Sequence, residues 1–372
     1  MTSIDKAVEN LRRRFERKID SYIKKDKLVL RDLFYILNYL IFKKNKERVF
    51  NILELISHYQ ILKPTYMRFM YGLGDPRSRF NWTQLSNITH DYLGGFPTYV
   101  KGNNAFIYGR YPDIDSTALS VAILAKGITL LGDEKIYSKY RNNIVYGIKY
   151  LESRDTNNNG LLEQLENEDW MHSMLRCGSI TYSNATALLA LDWIISAAIS
   201  VGDNEILRDA KLFRGKLLNA ISELLYLDEY FIEGISCYGC LILRYSIDTV
   251  LLGLTSVSKY LQNKIASHLQ VIGKQLLHNG LLKNIDTTQK NTRPETVNPG
   301  RLFNGGIWTL YNLLYLYSCL RHKVEPVIDV KLLYNNASFM WLDHKLKGYN
   351  DNYLPSIAVA LYIYELFGEK LR

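Results

Sequence analysis

The chain has 372 residues, 47% hydrophobic and 22% charged, with a formal net charge of +9. That length supports a large core, and that composition excludes a disordered chain. Residues 1–50 carry 14 Lys/Arg against 7 Asp/Glu, so the remainder is close to neutral, which argues against an extended nucleic-acid surface.

No apolar run reads as long enough to span a bilayer: Leu28 to Phe42 is interrupted by Arg31 and Asp32. The N-terminus is charged and amphipathic, without the apolar core of a secretory signal, so a cytoplasmic location is expected. Residues 1–62 read as basic helices, either the first hairpin of a ring or a flanking layer. Arg12-Arg13-Arg14 and Lys43-Lys44 read as solvated faces. Tyr99 to Tyr108 predicts a short β-hairpin turning at Gly102-Asn103-Asn104.

An apolar helix is then expected from Ser116 to Leu131, and an amphipathic one carrying Ile136, Tyr140, Ile144, Ile148 and Leu151 on one stripe. The pattern recurs about 70 residues later. Ser183 to Val201 is apolar, and Ile206, Ala210, Phe213, Leu217, Ile221 and Leu224 form the next stripe. Both joints are Gly-Asp, at Gly132-Asp133 and Gly202-Asp203. Glycine suits a left-handed helix end, and aspartate suits the cap of the following helix. Val250 to Leu277 and Gly306 to Leu320 continue the apolar theme.

Helices that are apolar all round belong inside, and amphipathic ones outside. Their alternation predicts an all-α protein built as an (α/α) toroid of concentric rings, with a short β-hairpin in a loop. An open helical solenoid uses the same units and is the alternative. No interdomain linker stands out, so residues 1–372 read as a single domain. The polar segments Gly94 to Asp115, Asp155 to Tyr182, Asn284 to Gly306 and Trp341 to Tyr353 are expected to gather at one end.

Cys237-Tyr-Gly-Cys240 lacks the second pair that a zinc site needs. Buried thiols or a local disulfide are therefore expected from Cys177, Cys237, Cys240 and Cys319. Abundant Lys, Ile, Leu and Tyr would suit a thermophile. Asp155, Asn157, Asn159, Gly160 and Glu166 fit the calcium-loop pattern. A helical hairpin needs a tight Asx/Gly turn there in any case, so no metal and no cofactor are expected.

Six segments could carry chemistry. Tyr111-Pro-Asp113-Ile-Asp115 opens an inner helix, where Asp115 could accept bonds from sugar hydroxyls beside Arg110. Asp155 to Trp170 is a polar loop. It runs into the third, Glu168-Asp169-Trp170-Met171-His172-Ser173, which combines carboxylates with a flat ring. Thr181-Tyr182-Ser183-Asn184 opens the next inner helix. Asn298-Pro-Gly-Arg301-Leu-Phe303-Asn304-Gly305-Gly306-Ile307-Trp308 allows close backbone approach beside a stacking face. Trp341-Leu342-Asp343 places a carboxylate beside another Trp, and Glu295 lies in a neighbouring loop.

In order and content these segments resemble the motifs of the six-hairpin glycosidases, namely archaeal glycogen-debranching-type amylo-alpha-1,6-glucosidases and neutral invertases. The resemblance covers roughly residues 95–370. It implies an (α/α)6 barrel and an inverting two-carboxylate hydrolysis of an α-glucoside or oligosaccharide. It assigns catalysis to the neighbourhood of Asp169, His172, Asp343 and Glu295. It assigns substrate binding to Arg110, Asp115, Glu168, Trp170, Asn304, Gly305 and Trp308. In these relatives the general acid is an aspartate at the position of His172, and a glutamate stands where this chain has Asp343. Three outcomes follow: Asp169 or Glu168 takes over as acid, His172 acts as acid, or sugar is bound without cleavage. The expected partner is a carbohydrate, not a membrane. A non-catalytic sugar-binding or scaffold protein of the same fold is one alternative, and a solenoid binding nucleic acid or protein is another.

Overall fold

The computed structural model describes residues 2–25, 27–63, 66–71, 82–87, 92–102, 104–166, 168–171, 174, 176–286 and 302–371, with only the backbone course of 66–71 and 82–87. Helices alternate between two environments. Outer α1 (Ser3–Ile23) leads to inner α2 (Asp32–Phe42), and outer α3 (Lys46–His58) to inner α4 (Ile114–Leu131). Outer α5 (Glu134–Glu152) leads to inner α6 (Thr181–Val201). Outer α7 (Asn204–Leu224) precedes an inner 3-10 helix, Ile247–Leu254. The short α8 (Val257–Tyr260) and outer α9 (Gln262–Leu276) follow, then inner α10 (Thr309–His322), outer α11 (Val330–Asn336) and inner α12 (Leu354–Leu371).

The inner elements form a closed cycle. α2 packs on α4, α4 on α6, α6 on the 3-10 helix, that helix on α10, α10 on α12, and α12 returns to α2. Closure favours the toroid over the open solenoid. Burial follows the sequence pattern: α4 is buried without a break from Ile114 to Ile128, whereas α5 buries one stripe including Tyr140, Ile144 and Ile148. Both Gly-Asp joints behave as their chemistry requires. Gly132 and Gly202 are left-handed at φ 63° and 74°. Asp133 accepts from Lys135 N, and Asp203 from Ile206 N.

Three readings need correction. Val250 to Leu277 is not one helix: the inner element ends at Leu254 and the amphipathic outer α9 begins at Gln262. Its apolar run continues through both because each buries a face. α4 and α6 are long and apolar enough to cross a membrane by length and composition, contrary to the sequence reading. Here 83% and 67% of those windows are buried inside the fold. Cys237 pairs with Cys177, 60 residues away, and not with its CxxC neighbour; Cys240 is an exposed thiol and Cys319 a buried one.

The hairpin Tyr99–Lys101/Asn104–Ile107 forms as expected, with Lys101 opposite Asn104. It belongs to a five-stranded sheet that also takes in Lys27–Val29, Tyr66–Tyr71 and Trp82–Asn87. The basic N-terminal helices spend charge on ion pairs: Arg48 with Glu16 and Asp20, Lys43 with Glu365, and Arg14 with Asp351. These are solvated helix faces tied to their own fold.

Candidate functional site

Because hairpins alternate out and in, the six inner elements start at the same end of the ring. Their N-termini bring six positive helix ends together, and the loops that follow the outer helices surround them. Two buried polar clusters occupy this mouth.

The first is centred on Arg31, just before α2. Its Nη1 lies 3.2 Å from Asp113 Oδ2 and 3.3 Å from Asp115 Oδ2. Tyr182, at the start of α6, donates to Asp115 Oδ2 at 3.2 Å. Both aspartates are fully buried. Burial pushes Asp113 well above the usual carboxylate range, and the Asp115 charge adds to this while Arg31 opposes it. Burial also raises Asp115, against the pull of Arg31. One cation facing two buried carboxylates favours retention of a proton on Asp113. Burial raises neighbouring Asp32 to about 6, with Arg31 and a hydrogen bond from Tyr353 opposing.

The second cluster is centred on Arg176, which is 1% exposed. Its guanidinium lies 3.2 Å from Asp169, 3.5 Å from Glu233 and 2.9 Å from Asp248. Only the Nη1 contact to Asp248 has donor geometry; Nε is near its carboxylates without pointing at either. Asp169 also accepts from Gln164 Nε2 at 2.8 Å and from Met171 N at 2.7 Å. Asp248 further accepts from Trp170 Nε1 at 2.8 Å and Ser246 Oγ at 2.7 Å.

Trp170 begins an aromatic stack across the mouth. It lies on Tyr311 with centroids 4.3 Å apart and an interplanar angle of 24°, and 4.6 Å from Trp308. Trp308 continues to Trp341 at 4.7 Å, and Phe303 bridges Trp170 and Trp341. The strand Ile307–Trp308 pairs with Trp341–Leu342, which fixes the last contacts. Trp170 and Trp308 are 1% and 3% exposed, so much of each face is already covered by protein rings.

The structure therefore brings Asp115, Asp169, Trp170 and Trp308 together. Asn304 and Gly305 lie in the same segment, next to Phe303; Asn304 is buried and Gly305 is left-handed at φ 79°. Asp343 sits two residues beyond Trp341, in the turn to Gly348–Tyr349. Its Oδ1 accepts from Lys345 N at 2.8 Å and Lys347 N at 2.9 Å, and Tyr349 OH lies 3.4 Å from Oδ2. Burial would raise its pKa, but these donors outweigh burial and hold it below its ordinary value. Glu168 is a loop tie. It accepts from Tyr111 N, Leu165 N and Arg154 Nη2 at 2.8, 2.7 and 3.0 Å. Arg110 is exposed at the rim, its guanidinium 5.5 Å from the Tyr111 ring centroid. His172 and Glu295 lie outside the described residues.

The Asp155 turn uses its own oxygens. Asp155 accepts from Gly160 N, Asn157 from Asn159 N and Asn159 from Leu161 N, while Asn157 donates to Glu163. This is an Asx-type turn. Among the described residues, no three His, Cys, Asp or Glu side chains cluster as a metal site.

Sequence reasoning missed Arg31, Arg176, Tyr311 and Asp248. Asp248 had a readable signal, since Ser246-Ile247-Asp248 opens an inner element as Asp113-Ile114-Asp115 does. The two arginines had none: Arg31 meets carboxylates more than 80 residues away, and Arg176, although seven residues from Asp169, gathers Glu233 and Asp248 from distant segments.

No protein-family model and no curated protein sequence matches the chain. Solved structures do match, over nearly its whole length. A GH63 mannosylglycerate hydrolase from Thermus thermophilus, in complex with glucose, is 12% identical; the match covers 90% of this chain and 92% of that one, with a TM-score of 0.65. An uncharacterized conserved protein from the same organism gives 11% identity, coverage of 91% and 93%, and the same TM-score. A wild-type glycosidase is 11% identical over 98% of both chains with a TM-score of 0.64, and a glycosidase variant, similar to the same degree, is in complex with glucose. The chain thus has the fold of the GH63-type six-hairpin glycosidases. At this identity the likeness shows the fold alone.

Proposed function

We propose that the protein is a carbohydrate-active enzyme that binds a glucoside at the six-helix mouth and hydrolyses it with inversion. The observation that carries this reading is Asp343, a carboxylate held ionised by two backbone amides on Oδ1, with, among the described residues, a single 3.4 Å tyrosine contact on Oδ2. An ionised carboxylate with one lightly engaged oxygen suits the base that activates water. It adjoins a Trp-rich stack, and the Asp113–Asp115 pair at the head of α4 supplies groups for sugar hydroxyls. Two similar structures hold glucose, which supports the substrate class.

Under this reading Asp169 is not the acid. Its Oδ2 accepts from Gln164 and its Oδ1 from the Met171 amide, with Arg176 3.2 Å away, so both oxygens are turned to the protein and not to a glycosidic oxygen. Burial raises the Glu168 pKa against the pull of Arg154, but its oxygens are held by Tyr111 N, Leu165 N and Arg154 and are likewise turned to the protein. The acid role falls to His172, by its position in the motif. An imidazolium acid with the ordinary histidine pKa confines activity to pH below about 6.5.

A second reading is sugar binding without cleavage. It is favoured by the internal engagement of Asp115, Glu168 and Asp169 and by the coverage of Trp170 and Trp308. A panel of aryl glucosides and α-linked disaccharides separates the two. Hydrolysis that falls with rising pH and is lost in both Asp343→Asn and His172→Ala supports the enzyme. Saturable sugar binding with no turnover across the panel supports the binding protein.

A further inference from the structure

The opposite end of the ring holds a site that the mouth does not use. A cavity of about 110 Å3 lies on the axis, and every inner element contributes to its lining. Lys126 of α4 reaches into it. Eleven residues of helix separate it from Asp115, about 16 Å along the axis.

Lys126 is 8% exposed, and its Nζ hydrogen-bonds to the side-chain oxygen of Asn38. The Trp193 ring lies 4.2 Å from Nζ and the Phe34 ring 5.9 Å. Burial alone lowers its pKa to about 7. Arg321, exposed at the rim, adds a second cation, which donates to the Leu254 carbonyl at 3.4 Å. Among the described residues, no carboxylate lines the cavity.

Carboxylates on the packed elements are engaged elsewhere. Asp192 accepts from Ser256 N at 2.7 Å and lies 3.6 Å from Arg214. Glu365 pairs with Lys43 and Arg12, and Glu54 with Lys139. The other titratable rings at this end are His322, bonded to the Gly253 carbonyl at 2.7 Å, and Tyr35, Tyr317 and Tyr362 in the lining; burial pushes Tyr35 and Tyr362 above the usual phenol range.

A desolvated amine without a counter-ion, inside aromatic and aliphatic walls, is an anion site with apolar sides. The volume is below the ~150 Å3 that accommodates benzene, so the apolar part is a short chain. We infer that this axial cavity binds a small aliphatic monocarboxylate, with its anion on Lys126 and its chain against Trp193, Tyr317 and Tyr362. The inference is independent of the sugar reading, because it concerns the other end of the ring.

Calorimetry with sodium butyrate on the whole chain tests it, with butyramide as the neutral isostere. Binding needs charged Lys126, so the dissociation constant should rise roughly 30-fold from about pH 6 to about pH 8.5, following the charged fraction. His322→Gln should keep that pH effect, and Lys126→Met should abolish butyrate binding. Equal binding of butyramide, undiminished binding to Lys126→Met, or no saturable butyrate binding by the wild type at millimolar concentration would each overturn the inference. The butyramide comparison uses wild-type protein and stands even if Lys126→Met fails to fold.

Discussion

Replacing Arg176 with methionine tests the polar core of the mouth most severely. The substitution keeps much of the side-chain volume and leaves Asp169, Asp248 and Glu233 without their shared cation. Each retains other donors: Gln164 and the Met171 amide for Asp169, Trp170 and Ser246 for Asp248, and Arg244 at 2.5 Å for Glu233. Among the described residues, only Glu233 retains a cationic partner. Removing one side of a buried pair costs about 3–5 kcal/mol. Unfolding entropy near 2.1 cal/mol/K per residue over 372 residues converts this to a Tm loss of about 4–6 °C. Differential scanning calorimetry reads the shift. Arg176→Lys, which keeps a point charge without the planar fork, should lose about half as much. A Tm within about 1 °C of wild type for Arg176→Met would show that the three carboxylates do not depend on the arginine.

Other outcomes follow from the same structure. Lys126 has a folded pKa of about 7 against 10.5 for an ordinary lysine amine, so the unfolded chain binds the extra proton between those values. Wild-type stability should therefore gain from this group as pH rises from 7 toward 10.5, by up to about 1.4 kcal/mol per unit, and Lys126→Met should remove that gain in urea titrations. Reducing Cys177–Cys237, which closes a 60-residue separation, should cost about 4 kcal/mol by chain entropy, and Cys177→Ser should make the protein insensitive to reductant. A chelator should leave Tm within about 1 °C, because Asp155 Oδ2, Asn157 and Asn159 accept from amides of their own turn; a calcium-dependent shift would contradict this.

The parts of the fold legible in the sequence are those that local chemistry decides. Gly132-Asp133 and Gly202-Asp203 end one helix and cap the next within a few residues, and the Tyr99–Ile107 hairpin is set by its turn. The inner 3-10 helix was hidden because an apolar run does not reveal where a short buried helix stops and an outer one begins. The sheet joining Lys27–Val29 to Tyr99–Lys101 was hidden because its partners are far apart in sequence. The site divides in the same way. Asp115, Trp170 and Trp308 stand in recognisable segments, whereas Arg31 meets Asp113 across 82 residues and Arg176 meets Asp248 across 72. Glu168 shows the converse: a carboxylate in a promising motif whose surroundings make it a loop tie.

The central claim is that the mouth formed by the inner-helix N-termini takes a carbohydrate. A crystal structure of the protein soaked with maltose tests it directly. The account predicts sugar density at this end of the ring, against Trp308 and within hydrogen-bond reach of the Asp113–Asp115 pair. Sugar bound on another face, or an empty mouth at a maltose concentration where calorimetry shows saturation, would contradict it.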